Sequence, residues 1–316
     1  MRFFIAFLML FPLCSGKGFA QDKLEIVASI PDLANLVETI GGDQVEVKVL
    51  VPAGFDPHAV LPKASLLLKL SRADGLIFMG LDYEHAFLPA LLEKTRNESL
   101  RPGGNGYMNV GERIQPLEVP ENLDRSQGAD LHPRGNPHYN LDPENGRIMA
   151  RAAFDLLVSL APDRREVFEQ RWQAWDEEAQ RRIAQWGKWM EPLRGKHFIT
   201  YHRSWSYFFN RYGMIVAAEI EPKPGLAPSA KHLLQVKKTI AAKDVKVLLM
   251  EPWYNEQRVR GLAKGALQVV KLPTTSGAAE DQEDYLDYLE HLVLSLRAAH
   301  GLPDPREGTG AGHPKE

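Results

Sequence analysis

Three short segments set a histidine inside or beside a chain turn: "FDPHAVLPKAS", "GNPHYNLDPENGR" and "FITYHRSWSYFFNRYG" carry His58, His138 and His202. Imidazole titrates near neutral pH and binds transition metals, so histidines held in stiff turns point first to metal chemistry. Pro57 and Pro137 directly precede two of them. Proline fixes its own φ and steers the residue before it to an extended form, so each imidazole has little orientational entropy left to lose on ligation. Asp56, Asn136 and Asp142 stand close enough in sequence to accept from the ring N–H that a metal would not use. One such histidine alone is usually solvated or hydrogen-bonded; three of them could converge in one cleft.

Convergence needs elements that bring distant segments together. β-rich runs at 25–30, 45–51 and 75–80 alternate with helix-like stretches at 31–41, 63–72 and 85–96, the rhythm of βαβ units on a parallel sheet. The rhythm recurs in strands at 197–201, 214–220, 245–250 and 267–272, with helices near 204–211, 229–242 and 255–264. His58 and His202 then fall at carboxyl ends of strands, where open α/β sheets gather ligands. His138 precedes a further helix, "RIMARAAFDLLVSL". Between the halves, Phe168, Trp172, Trp175, Ala179, Ile183, Trp186 and Met190 recur at spacings of three and four, which predicts one long amphipathic helix. At ~1.5 Å per residue it would run roughly 40 Å and touch both halves. The expected architecture is α/β: two lobes, each a mainly parallel sheet flanked by helices, joined by one long rigid helix. The expected boundaries are an N-terminal lobe at 21–161, the linking helix at 162–192, a C-terminal lobe at 193–301 and a disordered tail at 302–316.

Composition narrows the chemistry. The 316 residues are 44% hydrophobic and 25% charged, with a formal charge of −3, which gives no general attraction to nucleic acid or an anionic membrane. Residues 1–20 read as a cleaved signal peptide: Arg2, a short apolar run, and small residues before Gln21. The one cysteine, Cys14, lies within that segment, with Leu13 where a lipid-anchor signal would want a small residue. The expected mature form is a soluble, monomeric periplasmic chain without cysteine, whose metal ligands must be His, Asp or Glu.

At these same residues the chain resembles the metal-binding solute receptors of bacterial ABC importers for zinc and manganese, the cluster A-I or TroA-like group. "DPHAVLPKAS" is similar to the family's first-ligand motif, "GLIFMGLDYEHAFLPALL" to its following strand and turn, and "NPHYNLDPENGRIMA" and "YHRSWSYFFNRYGM" to its second- and third-ligand segments. The resemblance implies that His58, His138 and His202 are the metal ligands, that the long helix is a strut between the lobes, and that the partner is a membrane permease. Many members add an aspartate after the last strand, but here that loop reads "KLPTTSGAAEDQ", with Thr275 or a neighbour at that place. The fourth position falls to Glu221, with Glu251 and water as alternatives. His132 and Asp130, in a short loop where relatives carry a His-rich insertion, could touch incoming metal. His85, His197, His232, His291, His300 and His313 read as ordinary structural or surface residues.

Three neutral imidazoles with at most one carboxylate suit four-coordinate Zn²⁺ and serve Mn²⁺ poorly. Each ligand must be unprotonated, so affinity is expected to fall below about pH 6.5. Capture and delivery to the permease is therefore the expected function. A secreted zinc hydrolase or lyase with bound water is the enzymatic alternative, but the chain has no His-Glu-x-x-His segment. A surface adhesin stapled by metal is the third reading, and it would unfold without the metal.

Overall fold

The computed structural model describes residues 23–121, 130–262, 267–278 and 284–307. The expected signal segment, Cys14, His313 and most of the expected tail lie outside the described residues. Within them no helix is long and apolar enough to cross a membrane.

Strands β1 (Leu24–Ala28), β2 (Val45–Val49), β3 (Gly75–Phe78) and β4 (Tyr107–Asn109) form a parallel sheet in the order β2-β1-β3-β4. Strands β5 (His197–Thr200), β6 (Ile215–Glu219), β7 (Val247–Met250) and β8 (Gln268–Lys271) repeat that order as β6-β5-β7-β8, again all parallel. Parallel sheets are covered on both faces, which is why the central strands β3 and β7 are short runs of wholly buried residues. Around the first sheet lie α1 (Pro31–Gly41), α2 (Ala64–Arg72), α3 (Leu88–Lys94) and α4 (Pro143–Leu160). Around the second lie α6 (Ser206–Tyr212), α7 (Ala230–Ala242) and α8 (Tyr285–Ala299), and α5 (Arg165–Met190) runs between the two.

Three elements differ from expectation. β4 is only three residues long, too short to register as a period in "GYMNV", and α8 was not among the expected helices although "YLDYLEHLVLSLRAA" has apolar residues at helical spacing. The helix expected near 255–264 is a single 3-10 turn, Glu256–Arg258, capped by the Asn255 side chain; 263–266 lie outside the described residues. Glycines 261 and 265 weaken any continuation there.

α5 follows from its sequence directly. A 3-10 turn at Pro162–Arg164 leads into it and a second, Glu191–Leu193, follows it. Phe168, Trp175, Ala179, Trp186 and Met190 are buried, and Trp172 and Ile183 pack partly buried beside them. On the polar side Arg147 of α4 grips both carboxylate oxygens of Asp176, at 2.7 and 2.9 Å, and Arg182 pairs with Asp287 and Glu290 of α8.

The core is continuous across the molecule. One apolar cluster runs from Ile26 and Val37 beside the first sheet, through Phe168, Trp175 and Trp186, to Phe198 and Val247 of the second. The outer faces have their own smaller cores, around Leu70 and Phe78 and around Val236 and Leu248. Close packing resists deformation, so α5 is a strut cemented at both ends rather than a hinge.

Trp186 tests this arrangement. It is fully buried, and its indole N–H donates to Glu290 at 3.1 Å. Trp186→Ala is expected to cost about 3–5 kcal/mol in urea unfolding of the metal-free protein. A loss under about 1 kcal/mol would mean that the strut does not carry the packing described.

Candidate metal centre

Each of the three histidines is held by its own local device. After β2 the chain reaches a 3-10 turn, Pro57–Ala59, where the Asp56 carboxylate accepts the backbone N–H of His58 at 2.9 Å. His138 is held twice by one side chain: Asn136 Oδ1 accepts both its backbone N–H and its ring Nδ1–H, each at 3.0 Å. The Asn136 amide in turn donates to Glu118 and to the backbone carbonyl of Arg203 across the cleft. His202 lies two residues past β5 and Glu221 two past β6. The β5–β6 register pairs Thr200 with Glu219, which sets the two side by side at the sheet's edge. Glu221 Oε2 accepts from His202 Nδ1 at 2.7 Å and from the Gly225 N–H at 3.1 Å.

These partners fix tautomers. A carbonyl or carboxylate oxygen only accepts, so in their neutral forms His138 and His202 carry the proton on Nδ1 and leave Nε2 with a lone pair. The Nε2 atoms of His58 and His138 stand 3.4 Å apart, and one ligand atom from each of the three histidines lies within 4.8 Å of the others. Two imidazoles on a tetrahedral zinc with Zn–N near 2.05 Å would put their nitrogens roughly 3.3 Å apart. Among the described residues this is the one such group of three. Beside it opens a cavity of about 440 Å³ lined by His132, His138, His202, Glu118 and Asp130.

Electrostatics divide the three rings. His58 and His138 have pKa values well below the usual imidazole range, chiefly because burial penalises charge and then because neighbouring histidines repel it. In His202 burial again pulls downward and is the largest influence. The hydrogen bond to Glu221 and the fields of Glu251, Glu221 and Asp130 outweigh it, so the net shift is upward.

The other expected residues fall around this centre. Glu221 stands behind His202, addressing its Nδ1 side, and is not a fourth member of the converging set. A carboxylate committed to the far nitrogen of a ligand orients that ligand. Glu251 is wholly buried at the end of β7, with Oε1 accepting from the Ser204 hydroxyl, and it too stands outside the set. Thr275 is buried in the loop after β8 without joining it. His85, read as an ordinary residue, is corrected: its ring stacks on His58 at 5.8 Å between centroids, and His132 approaches His58 at 5.0 Å. Tyr83, absent from the sequence reading, packs edge-on against His58 and His138. The turn that places Tyr83 and His85 has three successive residues at positive φ: Gly80, Leu81 and Asp82. For Leu81 that backbone is strained, and the buried Glu84 carboxylate clamps the turn by accepting from the N–H groups of Met79 and Gly80. The Gly-x-x-x-Glu spacing of Gly80 and Glu84, which resembles the family's turn, marks the place, but only tertiary context makes a leucine adopt that conformation.

Comparison with known proteins places this geometry. Residues 26–299 match the family described as ZnuA, zinc-uptake complex component A, periplasmic. The zinc-binding lipoprotein AdcA of Streptococcus pneumoniae serotype 4 is 24% identical over 297 residues, 92% of this chain and 58% of AdcA, so the chain spans little more than half of that relative. The high-affinity zinc uptake protein ZnuA of Yersinia pestis is 22% identical over 290 residues, 88% of this chain and 91% of that one. Among solved structures, a zinc-bound ZnuA deletion mutant is 28% identical with a TM-score of 0.73, covering 90% of this chain and 100% of its own.

Binding of Zn²⁺ through all three rings would displace protons only from rings that carry them. The expectation that every ligand sheds a proton below pH 6.5 is therefore narrowed to His202 alone. At about pH 6, calorimetry in buffers of different ionisation enthalpy should record roughly one proton released per zinc and an affinity falling about tenfold per pH unit. Release near three protons would contradict the assignment of neutral His58 and His138.

Proposed function

Because the chain belongs to the periplasmic zinc-uptake complex component A family, we propose that it captures a divalent transition metal, Zn²⁺ before Mn²⁺, outside the cytoplasm and delivers it to the permease of an ABC-type importer. The observation that carries this reading is the meeting of three imidazole nitrogens, from segments far apart in sequence, within 4.8 Å of one another. His58 and His138 reach the ion from the first lobe and His202 from the second. Glu221 and Asn136 hold ligand rings from behind, and solvent from the adjoining cavity takes the fourth position.

All three donors are neutral nitrogens, which favours zinc over oxygen-preferring manganese. The reading is of a binding protein and not an enzyme: Glu221 faces the Nδ1 side of His202, so it is not placed to take a proton from water on the metal. The lobes divide at 21–161, 162–192 and 193–301. Since the core runs through both, bound and empty forms would differ by small shifts or loop order, which a permease can read if it binds the two forms unequally. The mature chain arises by cleavage after Ala20 rather than lipidation at Cys14; the mass of the mature N-terminus decides between them.

Zinc titration of the mature protein tests the reading. The parent should take up one tight equivalent, and His58→Ala, His138→Ala and His202→Ala should each weaken it by at least about 100-fold. Glu221→Gln should keep the stoichiometry and lose about 10–100-fold. Three alanine variants that titrate like the parent would overturn the proposal.

A further inference from the structure

Asp32, at the start of α1, stands outside the three-histidine group. It is wholly buried where three segments meet, and each of its carboxylate oxygens accepts from a different one. Oδ1 takes the Asn140 amide at 3.2 Å, in the turn after His138, and Oδ2 takes the Ser276 N–H at 3.2 Å, in the loop after β8. Asn140 also donates to the Thr274 carbonyl of that loop at 2.8 Å. α1 and the His138 turn belong with the first sheet and the loop after β8 with the second, so one carboxylate joins the two halves.

No cation compensates its charge. Among the described residues no Lys, Arg or His acts on it. Arg147 of α4 is committed to Asp176 and Glu144, Lys48 of β2 to Glu25 and Glu46, and Arg171 of α5 reaches α1 only at its far end, at Gly41 and Asp43. The titratable groups that feel Asp32 are the buried hydroxyls of Tyr83, after β3, and of Tyr285 and Tyr288 on α8. Burial first, and then the charge of Asp32, hold all three well above the usual tyrosine range, so they stay neutral. A buried carboxylate held only by neutral donors is costly to ionise. Burial is the largest influence on Asp32 and outweighs its hydrogen bonds, raising the pKa from 3.8 to about 7.

We propose that Asp32 is a proton-operated latch between the halves: protonated, it suits the closed seam, and ionised, it favours local opening of the loop after β8 and the turn after His138, where water reaches it. The opening is local because the core along α5 is continuous. The closed seam holds a proton that the opened seam gives up. Closure is therefore firmest below about pH 4, weakens as pH rises to about 7 and changes little above that. Asn140 lies two residues from His138, so loosening the latch frees a ligand segment. That use in metal release rests on the zinc-capture reading above; the latch itself does not, and its test needs no metal.

Hydrogen exchange at the Ser276 amide of the metal-free protein, corrected for the intrinsic pH dependence of exchange, reads the seam. In the parent, protection should fall about tenfold per pH unit between about pH 5 and 6.5 and level off above about pH 7.5. Asp32→Asn and Asp32→Ala should lose that slope whatever their absolute protection, because neither side chain titrates. A parent whose corrected protection changes less than about twofold over this range, or variants that keep the parent's slope, would overturn the inference. Should both variants fail to fold, carbon-13 NMR of the Asp32 carboxyl in the parent decides: titration above about pH 6 supports the latch, and titration below it overturns it.

Discussion

The centre depends on one side-chain amide. Asn136 accepts the ring N–H of His138 with its oxygen and donates with its nitrogen to Glu118 and to the Arg203 carbonyl. It therefore fixes which nitrogen of His138 faces the cleft and, through the same group, ties the segment carrying His138 to the one carrying His202. Tyr207 adds to the tie by donating to the Asn136 carbonyl and accepting from the Leu117 N–H. With the His138 lone pair so fixed, His58 Nε2, 3.4 Å away, can donate its proton to it in the metal-free centre, which holds the two rings facing each other.

A second tie lies deeper. Asp32, wholly buried at the start of α1, accepts from Asn140 at 3.2 Å and from the Ser276 N–H at 3.2 Å, while Asn140 also donates to the Thr274 carbonyl. Burial raises the Asp32 pKa to about 7. This group joins α1, the turn after His138 and the loop after β8. Together with the continuous core along α5 it makes the two lobes a poor candidate for wide opening. Release of an ion from such a body would call for local change at the three histidines, and His58, whose Nδ1 has no acceptor, is where the centre is least constrained.

Much of this was legible in the sequence for definite reasons. The strands and α5 announce themselves because burial on both faces, or on one stripe, leaves a periodic apolar record. His58 and His138 stand out because proline precedes each, and His202 because it ends a strand. What stayed hidden depends on contacts that leave no local record. Glu221 reads as a ligand from its place after a strand, and only the register of β5 with β6 reveals that it meets the far side of the His202 ring. His85 looks like a helix residue in "LDYEHAFLPALL", but the helix begins at Leu88, after a left-handed turn that swings His85 onto His58. β4 is too short to carry a period, and the helix expected near 255–264 reduces to one turn.

X-ray absorption at the zinc edge of the protein loaded with one equivalent addresses the central claim most directly. A first shell near 2.0 Å with the outer-shell scattering of about three imidazoles is the result the geometry requires. A shell of oxygen neighbours with imidazole scattering from one ring or none would contradict it.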